Sequence, residues 1–194
     1  MAKRDDFMKG RRVLLGVTGG VAAYKAVDLA SKLTARGAAV DCVMTESAGQ
    51  LVRARSFEAV TGRAVFTKLW SSPEEHKITH INLAEAADVV VVAPATANII
   101  AKAACGICDD LLSTILCACW NKPVLIAPAM NSSMWSNPAV QRNVEALRAM
   151  KLEFVGPNTG RLACGAEGVG RMAEPAEIVA ALETIVGRIR RIGE

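Results

Sequence analysis

The chain alternates short, mainly apolar runs with longer segments in which apolar residues recur at helical spacing. Five of these runs predict strands, at residues 12–17, 39–44, 88–93, 124–127 and 152–155. The runs at 88–93 and 124–127 carry almost no polar residues, which is typical of strands buried on both faces of a parallel sheet. Helical or polar segments follow the runs, so the pattern indicates repeated strand–helix units.

Helix boundaries are marked by residues suited to capping. A first long helix is predicted from about residue 21 to 36, followed by Gly37 as a residue able to adopt a left-handed conformation. Asn137 and Pro138 suit the N-cap and first position of a helix that continues to about residue 150. Further helical segments are predicted up to residue 52, up to 104, over 110–120 with Asp109 as its cap, and over 175–189.

Two long stretches show no regular pattern. Residues 53–79 are poorly patterned, and no element is assigned to them. Residues 157–172 are rich in glycine and show no period, so they are predicted to form a loop. Strand and helix otherwise alternate, which predicts one α/β domain, Rossmann-like or flavodoxin-like, with a doubly wound parallel sheet. We expect residues 1–10 to form a flexible arm and residues 11–194 to form the domain.

The stretch from residue 123 to 137, PVLIAPAMNSSMWSN, places polar and aromatic groups directly after a predicted buried strand. The apolar run breaks at Pro128, and the next helix opens at Asn137. Open α/β sheets bind ligands outside the carboxyl ends of their strands, so this position is typical of a binding site. The groups displayed there are Met130, Asn131, Met134 and Trp135. An ordinary strand-to-helix turn with one exposed Trp is the alternative.

Composition and charge exclude several classes of protein. Hydrophobic residues make up 52% of the chain and aromatic residues 4%, which suits a core of small aliphatic side chains. The net charge is +4, and no stacking aromatics are interleaved with the basic residues at the two ends, so we expect no nucleic-acid partner. No run reaches the ~18 apolar residues that a membrane span needs, so we expect no membrane partner. The six cysteines do not resemble a disulfide framework, which favours the cytoplasm.

Cys105-x-x-Cys108 and Cys117-x-Cys119 resemble the spacing of zinc ligands. They lie among apolar residues, however, within or beside a helical pattern, and the chain has only two histidines. Small thiols are common in buried apolar surroundings. We therefore expect no metal site.

Three predicted strand ends carry groups suited to a ligand, at residues 16–21 (GVTGGV), 45–47 (TES) and 94–98 (PATAN). A glycine turn before a helix directs backbone N–H groups and the helix dipole at an anion, typically a phosphate. The dinucleotide fingerprint needs G-x-G-x-x-G and an acidic residue after the second strand. The glycines here miss that spacing and hydroxyls replace the acid, which favours a mononucleotide phosphate over NAD. Close packing of helix on strand is the alternative explanation of the glycine turn.

His80 and Cys164 are the candidate groups for proton transfer. A histidine changes charge near neutral pH, and a thiol has a reference pKa of ~8.5, so both types of side chain can exchange protons with a substrate. Cys164 lies in the glycine-rich sequence GRLACGAEGVGRM, in which the glycines would supply the hinges of a lid. A structural or solvated histidine and an idle thiol are the alternatives.

Several segments together resemble the flavin-dependent cysteine decarboxylase family, and most closely its branch that acts on phosphopantothenoylcysteine in coenzyme A biosynthesis. The resemblance extends from about residue 10 to residue 185. The matching segments are GGVAAYK from Gly19, HI-x-L from His80, APATAN from Ala93, DDLL from Asp109, PAMN-x-x-MW from Pro128 and GRLACG from Gly160. The PAMN-x-x-MW stretch combined with the cysteine loop is a specific signal.

The resemblance implies a Rossmann-like subunit that binds FMN at the interface of a homotrimer, with trimers able to assemble into dodecamers. The implied FMN contacts are Gly19, Gly20, Val21, Thr45, Ser47, Thr96, Ala97, Asn98, Ala129 and Met130. The implied substrate contacts are Asn131, Arg161, Ala163 and Met172. The implied catalytic residues are His80 as the base, Asn131 as the group that orients the substrate carboxylate, and Cys164 as the proton donor.

The reaction that the resemblance implies is the FMN-dependent decarboxylation of 4'-phosphopantothenoylcysteine, a small molecule, to 4'-phosphopantetheine. Oxidation of the cysteine side chain to a thioaldehyde precedes the loss of CO₂, and the resulting enethiolate is then reduced. The alternatives are a peptidyl-cysteine decarboxylase that stops at the enethiol, a flavin prenyltransferase, and a non-catalytic FMN-binding regulatory protein. The chain would be either a free-standing enzyme or the amino half of a bifunctional one.

Overall fold

The computed structural model describes residues 8–70, 79–163 and 165–193. The strands within these ranges are β1 (Arg12–Val17), β2 (Ala39–Met44), β3 (Val65–Phe66), β4 (Val89–Ala95), β5 (Val124–Pro128), β6 (Glu153–Phe154), β7 (Asn158–Arg161) and β8 (Glu167–Arg171). The helices are α1 (Ala23–Ala35), α2 (Glu46–Gly49), α3 (Ala54–Thr61), α4 (Thr79–Ala86), α5 (Ala97–Cys105), α6 (Leu111–Ala118), α7 (Ser132–Trp135), α8 (Pro138–Ala149) and α9 (Pro175–Gly193).

Strands β1 to β6 form one sheet in the order β3-β2-β1-β4-β5-β6. Every neighbouring pair in this sheet is parallel. The direction in which strands are added reverses between β1 and β4, as in a doubly wound Rossmann-like sheet. The predicted fold class is therefore confirmed.

The sheet separates two apolar layers, because successive side chains of a strand point to opposite faces. Leu15 and Val91 face the layer that contains α1, α3 and α9. Leu14 and Val90 face the layer that contains α4, α5, α6 and α8. Each fully buried Leu or Val contributes roughly 1.5–3 kcal/mol by leaving water, so these two layers are the main source of stability.

The stretch at residues 53–79, to which the sequence pattern assigned no element, contains regular structure. Helix α3 occupies Ala54–Thr61, and the edge strand β3 follows at Val65–Phe66. The fully buried side chain of α3 is that of Phe57, and β3 has two residues, so neither element produces a detectable apolar period. Residues 71–78 lie outside the described part of the chain.

Two prolines that the sequence pattern places at the ends of strands lie inside them. Strand β4 continues through Pro94 to Ala95, and β5 includes Pro128. Proline donates no ladder hydrogen bond, so strands tolerate it at their ends and at irregularities. The β4–β5 register shifts between Val92 and Ala95, and the N–H of Ala129 then donates to the carbonyl of Ala95 at 2.9 Å. Backbone hydrogen bonding along β4 and β5 therefore resumes beyond the prolines.

The glycine-rich stretch at residues 157–172, which was predicted to be a loop, forms an antiparallel hairpin of β7 and β8. Gly160 and Gly170 have φ angles of +156° and +152°, which residues with a Cβ seldom adopt. Strands are detected in a sequence by alternating apolar and polar side chains, and glycines remove that alternation. The prediction was wrong for this physical reason.

Helix α6 begins one residue later than predicted, with Asp110 rather than Asp109 as its N-cap. The side chain of Asp110 accepts the N–H of Ser113 at 2.8 Å, and the hydroxyl of Ser113 accepts the N–H of Asp110 at 3.1 Å. This reciprocal pair satisfies two donors at the start of the helix.

Other boundary predictions are confirmed. Asn137 accepts the N–H of Ala139 at 2.8 Å as the N-cap of α8, and Pro138 takes the first helical position. Gly37 follows α1 with a φ of +81°.

Of the predicted N-terminal arm, residues 1–7 lie outside the described ranges and Met8 is buried. No helix in the described ranges has the length and apolarity needed to cross a bilayer.

Replacing Asp110 by Ala should lower the free energy of unfolding by about 1–2 kcal/mol at pH 7, since α6 loses its N-cap. Lys102 would also lose a hydrogen bond of 2.8 Å. Burial opposes ionisation of Asp110, but hydrogen bonds from Lys102 and Ser113 outweigh it and lower the pKa. A carboxylate with a lowered pKa stabilises the fold above its unfolded pKa and loses this effect as the pH falls through its folded pKa.

The difference in stability between the wild type and this variant should therefore shrink below about pH 4, the ordinary range for Asp. Urea unfolding at a fixed protein concentration between pH 7 and pH 3 measures it. Asp28→Ala is the control, because it removes an exposed pair with Lys32 that is worth under about 1 kcal/mol. A difference that stays constant with pH would contradict the role of the ionised carboxylate.

Candidate functional site

A cavity of about 630 Å³ opens at the carboxyl ends of β1, β4 and β5. These strands surround the point where the strand order reverses, which is where doubly wound sheets bind ligands. The turns after the three strands form one wall of the cavity, and the β7–β8 hairpin forms the facing wall.

The turn after β1 brings its backbone directly to the cavity. A Cβ on Gly19 would stand 2.4 Å from the Cβ of Ser47, so only glycine allows this turn to pack against the turn after β2. The N–H of Gly20 donates to the carbonyl of Thr18 at 2.8 Å. The N-cap of α1, Ala22, offers no side-chain cap and lines the cavity. The positive end of the α1 dipole is therefore available to an anion.

The hydroxyl of Thr18 joins this turn to the turn after β4. The buried hydroxyl donates to the carbonyl of Pro94 at 2.7 Å and accepts the N–H of Thr96 at 3.2 Å. The side chain of Thr96 caps α5 by accepting the N–H of Ile99. Because Thr96 and Ala97 line the cavity, a second helix N-terminus is directed at the same space.

The turn after β5 is fixed by a helix cap and by the hairpin. The Oδ1 of Asn131 accepts the N–H of Ser133 at 2.8 Å and starts α7. The N–H of Met130 donates to the carbonyl of Gly170 at 2.9 Å. A Cβ on Gly170 would stand 2.1 Å from the carbonyl oxygen of Met130. The hairpin therefore contacts this turn backbone to backbone.

The cationic side chains that line the cavity, within the described residues, are Lys25, Arg161 and Arg171. The Nζ of Lys25 donates to Oε1 of Glu174 at 2.8 Å, and Arg171 donates to the same oxygen. These hydrogen bonds, that from Lys25 above all, lower the pKa of Glu174, so its carboxylate is ionised at neutral pH. One carboxylate beside three cations leaves the region positive, which suits an anionic ligand.

The structure brings most of the predicted binding residues to this one cavity. Those that line it are Gly19, Gly20, Val21, Thr96, Ala97, Ala129, Met130, Asn131, Arg161, Ala163 and Met172. Three other predicted cofactor contacts, Thr45, Ser47 and Asn98, are described but do not line it. Thr45 caps α2 by accepting the N–H of Ala48 at 3.3 Å, and Asn98 is exposed in the first turn of α5. The functional roles of all these residues stay predictions.

Of the two residues predicted to transfer protons, the structure describes one. His80 lies half-buried in the first turn of α4, in the layer that α4 shares with α6, and does not line the cavity of its own chain. Cys164 lies outside the described residues, while its neighbour Ala163 lines the cavity. Both catalytic roles stay predictions.

Sequence patterns alone do not reveal the importance of Thr18, Lys25 and Arg171. Thr18 acts through a contact with Pro94, 76 positions along the chain. Lys25 meets Glu174 across 149 positions. Periodicity identifies only residues that share a face of one element, so such contacts escape it. The signal that could have identified them is their position in the sequence: Thr18 and Lys25 lie close to the glycine turn, and Arg171 lies in the glycine-rich stretch.

The described cysteines divide into buried and exposed groups. Burial raises the pKa of Cys42 to about 12 and that of Cys119 to about 11, so both thiols are protonated and unreactive at neutral pH. Cys105, Cys108 and Cys117 are exposed. In the described ranges, no three His, Cys, Asp or Glu side chains are grouped closely enough to hold a metal ion.

Fold and cavity together define a Rossmann-like α/β protein with an anion-binding site at the switch point of its sheet. The family described as Flavoprotein matches residues 1–189, and the chain belongs to this family. It is 43% identical over 176 residues to the coenzyme A biosynthesis bifunctional protein CoaBC of Vibrio vulnificus, covering 91% of this chain and 44% of that protein. It is 47% identical over 172 residues to the same protein of Bacillus subtilis, covering 89% and 42%. The chain thus spans less than half the length of these curated relatives.

Solved structures share the fold over nearly the whole chain. A mutant PPC decarboxylase complexed with pantothenoylaminoethenethiol has a TM-score of 0.81 and 35% identity, covering 90% of this chain and 97% of that one. The FMN-dependent cysteine decarboxylase SpaF has a TM-score of 0.80 and 36% identity, covering 93% and 98%. The FMN binding protein AtHal3 has a TM-score of 0.78 and 34% identity, covering 91% and 97%.

Gly170→Ala should lower the free energy of unfolding by about 2–4 kcal/mol, because the added methyl overlaps the Met130 carbonyl and displaces the hairpin. Gly165→Ala is the matched control in the same hairpin. Gly165 has a φ of +85°, and a methyl added there would have no heavy atom within 4 Å, so its substitution adds only backbone strain of about 1–2 kcal/mol. Thermal unfolding compares the two variants, and equal losses would contradict the backbone contact.

Proposed function

We propose that this chain binds FMN and decarboxylates 4'-phosphopantothenoylcysteine to 4'-phosphopantetheine, a step of coenzyme A biosynthesis. The observation that carries the proposal is the meeting of residues 129–131 and 161–163 at one cationic cavity. The similarity to PPC decarboxylase, at 35% identity over 90% of this chain, supports the same activity. The CoaBC relatives support its place in the pathway.

The residues of the cavity fit FMN. Its volume of about 630 Å³ lies within the range of small-molecule sites, roughly 300–1,000 Å³. The starts of α1 and α5 suit the phosphate, because the positive ends of two helix dipoles converge there. Gly19, Gly20, Val21, Thr45 and Ser47 would hold the phosphate and the ribityl chain. Thr96, Ala97, Asn98, Ala129 and Met130 would line the ring.

Loss of CO₂ leaves an electron pair on the carbon that carried the carboxylate. An ordinary cysteine cannot delocalise this pair, and this makes the reaction difficult. FMN, when bound, accepts a hydride from the carbon that bears sulfur and returns it after decarboxylation, so no external redox partner is consumed. The oxidised substrate is a thioaldehyde β to the carboxylate, and CO₂ loss then leaves an enethiolate. The protein has three tasks: to orient the carboxylate, to accept a proton during oxidation and to donate one during reduction.

Asn131 is suited to orienting the substrate carboxylate. It lines the cavity, and its Oδ1 is held by the N–H of Ser133, so the start of α7 fixes the amide. A neutral amide binds a carboxylate without the strong ion pairing that would stabilise the ground state against loss of CO₂. Arg161, Ala163 and Met172 line the same cavity, and we infer that they contact the substrate.

We infer that the active unit is a homo-oligomer, a trimer that can assemble further into a dodecamer. His80, the proposed base, does not line the cavity of its own chain. At the cavity rim, Val21 and Tyr24 are 63% and 62% exposed. A second copy seated on this rim would bury both side chains and complete the site with residues of another chain. His80 would then act on substrate held by a neighbouring copy.

Cys164 is the proposed proton donor to the enethiolate as the hydride returns. Its sequence neighbour Ala163 lines the cavity, which supports a position close to substrate. A thiol in this role must stay reduced, which is consistent with a cytoplasmic enzyme.

A cysteine decarboxylase that acts on a peptide is the second candidate. The similarity to SpaF, an FMN-dependent cysteine decarboxylase at 36% identity, supports decarboxylation of a cysteine and is compatible with either substrate. The two candidates differ in their products, because a reaction without a final proton donor stops at the enethiol. The glycine-rich loop with Cys164 supports the candidate that ends with reduction.

The purified protein, supplied with FMN, tests the proposal by its visible spectrum and by CO₂ release from phosphopantothenoylcysteine. A yellow protein that forms CO₂ and phosphopantetheine in equal amounts supports it. A colourless protein that cannot be reconstituted with FMN would overturn it. Equal amounts of CO₂ and enethiol would favour the second candidate.

Asn131→Asp should reduce kcat by about 10²-fold or more while FMN stays bound, since a carboxylate there repels the substrate carboxylate. Asn137→Asp is the control, because aspartate serves as well as asparagine at the N-cap of α8. Steady-state CO₂ release and the flavin absorbance are measured for both variants. Full activity of the first variant would remove Asn131 from the mechanism.

Cys164→Ser should still release CO₂ but stop at the enethiol, because the hydroxyl is a much weaker acid than the thiol. Without O₂ one enethiol should form per bound FMN, since the flavin is left reduced, and with O₂ as the oxidant of the flavin the enethiol should accumulate. Mass spectrometry of the products distinguishes the enethiol from phosphopantetheine by two hydrogen atoms. Cys105→Ser, at an exposed position outside the cavity lining, should form the reduced product normally. Normal reduced product from Cys164→Ser would refute its assigned role.

A further inference from the structure

Glu174, directly before α9, ties three elements of the cavity together. Its Oε1 accepts a hydrogen bond of 2.8 Å from Lys25 of α1 and a second hydrogen bond from Arg171 at the end of β8. The Lys25 side chain is 13% exposed, so it is held rather than free in solvent. Both cations line the cavity. One carboxylate therefore sets the positions of two cationic groups that face the ligand space.

Glu177, in the first turn of α9, makes the corresponding contact with the other strand of the hairpin. Its Oε2 accepts the Nδ2 of Asn158, at the start of β7, at 2.8 Å. The same oxygen accepts the N–H of Glu174 at 2.7 Å. The two carboxylates thus hold both strands of the hairpin, and that of Glu177 also fixes the backbone of Glu174.

The path of Arg171 shows that this contact is built into the hairpin. A Cβ on Gly160 would stand 3.3 Å from Nη1 and 3.4 Å from Cδ of Arg171. Arg171 therefore crosses β7 at a glycine, where no side chain obstructs it, and reaches Glu174 from there. At the base of the hairpin, Met172 and Ala173 are buried in the layer that contains α1 and α9. The base is held by apolar packing and the strands by the carboxylates.

We propose that Glu174 is a positioning residue of the decarboxylase, which with Glu177 anchors the β7–β8 hairpin over the bound substrate. The anchor keeps Arg161, Leu162 and Ala163 at the cavity, and it holds Lys25 and Arg171 at fixed positions in the cavity wall. Its effect on substrate rests on the proposed function, whereas its effect on the hairpin does not.

Glu174→Gln keeps the size of the side chain and removes its charge. Exchange of the backbone amides of β7 and β8 with deuterated water should become about tenfold faster, because the ion pairs of Glu174 with Lys25 and Arg171 are lost and the hairpin opens more readily. The KM for phosphopantothenoylcysteine should rise about five- to tenfold, and kcat should fall by less than that, since the hairpin contacts substrate and also carries Cys164, the proposed proton donor. FMN affinity should stay within about twofold.

Glu183→Gln is the matched control. Glu183 also lies on α9 and pairs with a cation of α1, Arg36, at 3.2 Å, but neither residue lines the cavity. The Glu183→Gln variant removes an ionic link between α9 and the C-cap residue of α1 without touching the hairpin. Hairpin exchange and KM in this variant should match the wild type.

Asn158→Ala provides a second route that leaves the buried base intact. It removes only the hydrogen bond from β7 to Glu177, and it should speed amide exchange in β7 more than in β8. If Glu174→Gln does not yield folded protein, this variant carries the test.

The outcomes separate the two proposals. Hairpin exchange that is no faster in Glu174→Gln and Asn158→Ala than in Glu183→Gln overturns the anchor, whatever the activity. A loss of kcat without a rise in KM overturns the positioning role. A wild-type protein that neither binds FMN nor releases CO₂ overturns the proposed function, and hairpin exchange still decides on the anchor.

Discussion

The hydroxyl of Thr18 fixes the two strand ends between which the sheet reverses its order. Its side chain is buried, donates to the carbonyl of Pro94 and accepts the N–H of Thr96. A buried polar group without partners would cost about 1–3 kcal/mol, so this hydroxyl and the two backbone groups satisfy one another. Because α1 and α5 begin within a few residues of these bonds, the spacing between their N-termini is set by one side chain.

The two walls of the cavity are stabilised by different forces. The turns after β1, β4 and β5 continue strands that are buried on both faces, so the apolar layers hold them in place. The hairpin lies outside these layers, apart from its base, and is held by backbone contact and charged hydrogen bonds. Such hydrogen bonds break and re-form more readily than core packing does, so the hairpin is the wall that can adjust to a ligand.

Sequence patterns were sufficient where burial alone determines structure. Residues 12–17 and 39–44 were predicted with the bounds that the structure shows, because both strands are almost entirely buried. Residues 157–172 were not, since glycine contributes a conformation and a close approach but no apolar side chain. The turns after β1, β4 and β5 were located correctly because they follow predictable strands, with Gly19 and Asn131 both at the cavity, whereas Thr45 and Ser47 after β2 do not line it.

Contacts made across the fold could not be predicted in this way. The link between Lys25 and Glu174 requires the last helix to pack on the first, and no period along the chain encodes that packing. The position of His80 outside the cavity lining of its own chain was equally hidden, since the resemblance names residues but not the elements that pack around them. Such relations become visible only when the sheet order is known.

The seat of the hairpin consists largely of main-chain atoms. Methyl groups added at Gly168 and Gly170 would stand 2.4 Å from the Oγ of Ser132 and 2.1 Å from the carbonyl oxygen of Met130, so β8 lies flush against the turn after β5. This fit is made by the strand β8 itself. Of the hairpin, β8 is therefore the part that tolerates the least change in sequence, because any side chain added at these two glycines would lift the strand from its seat.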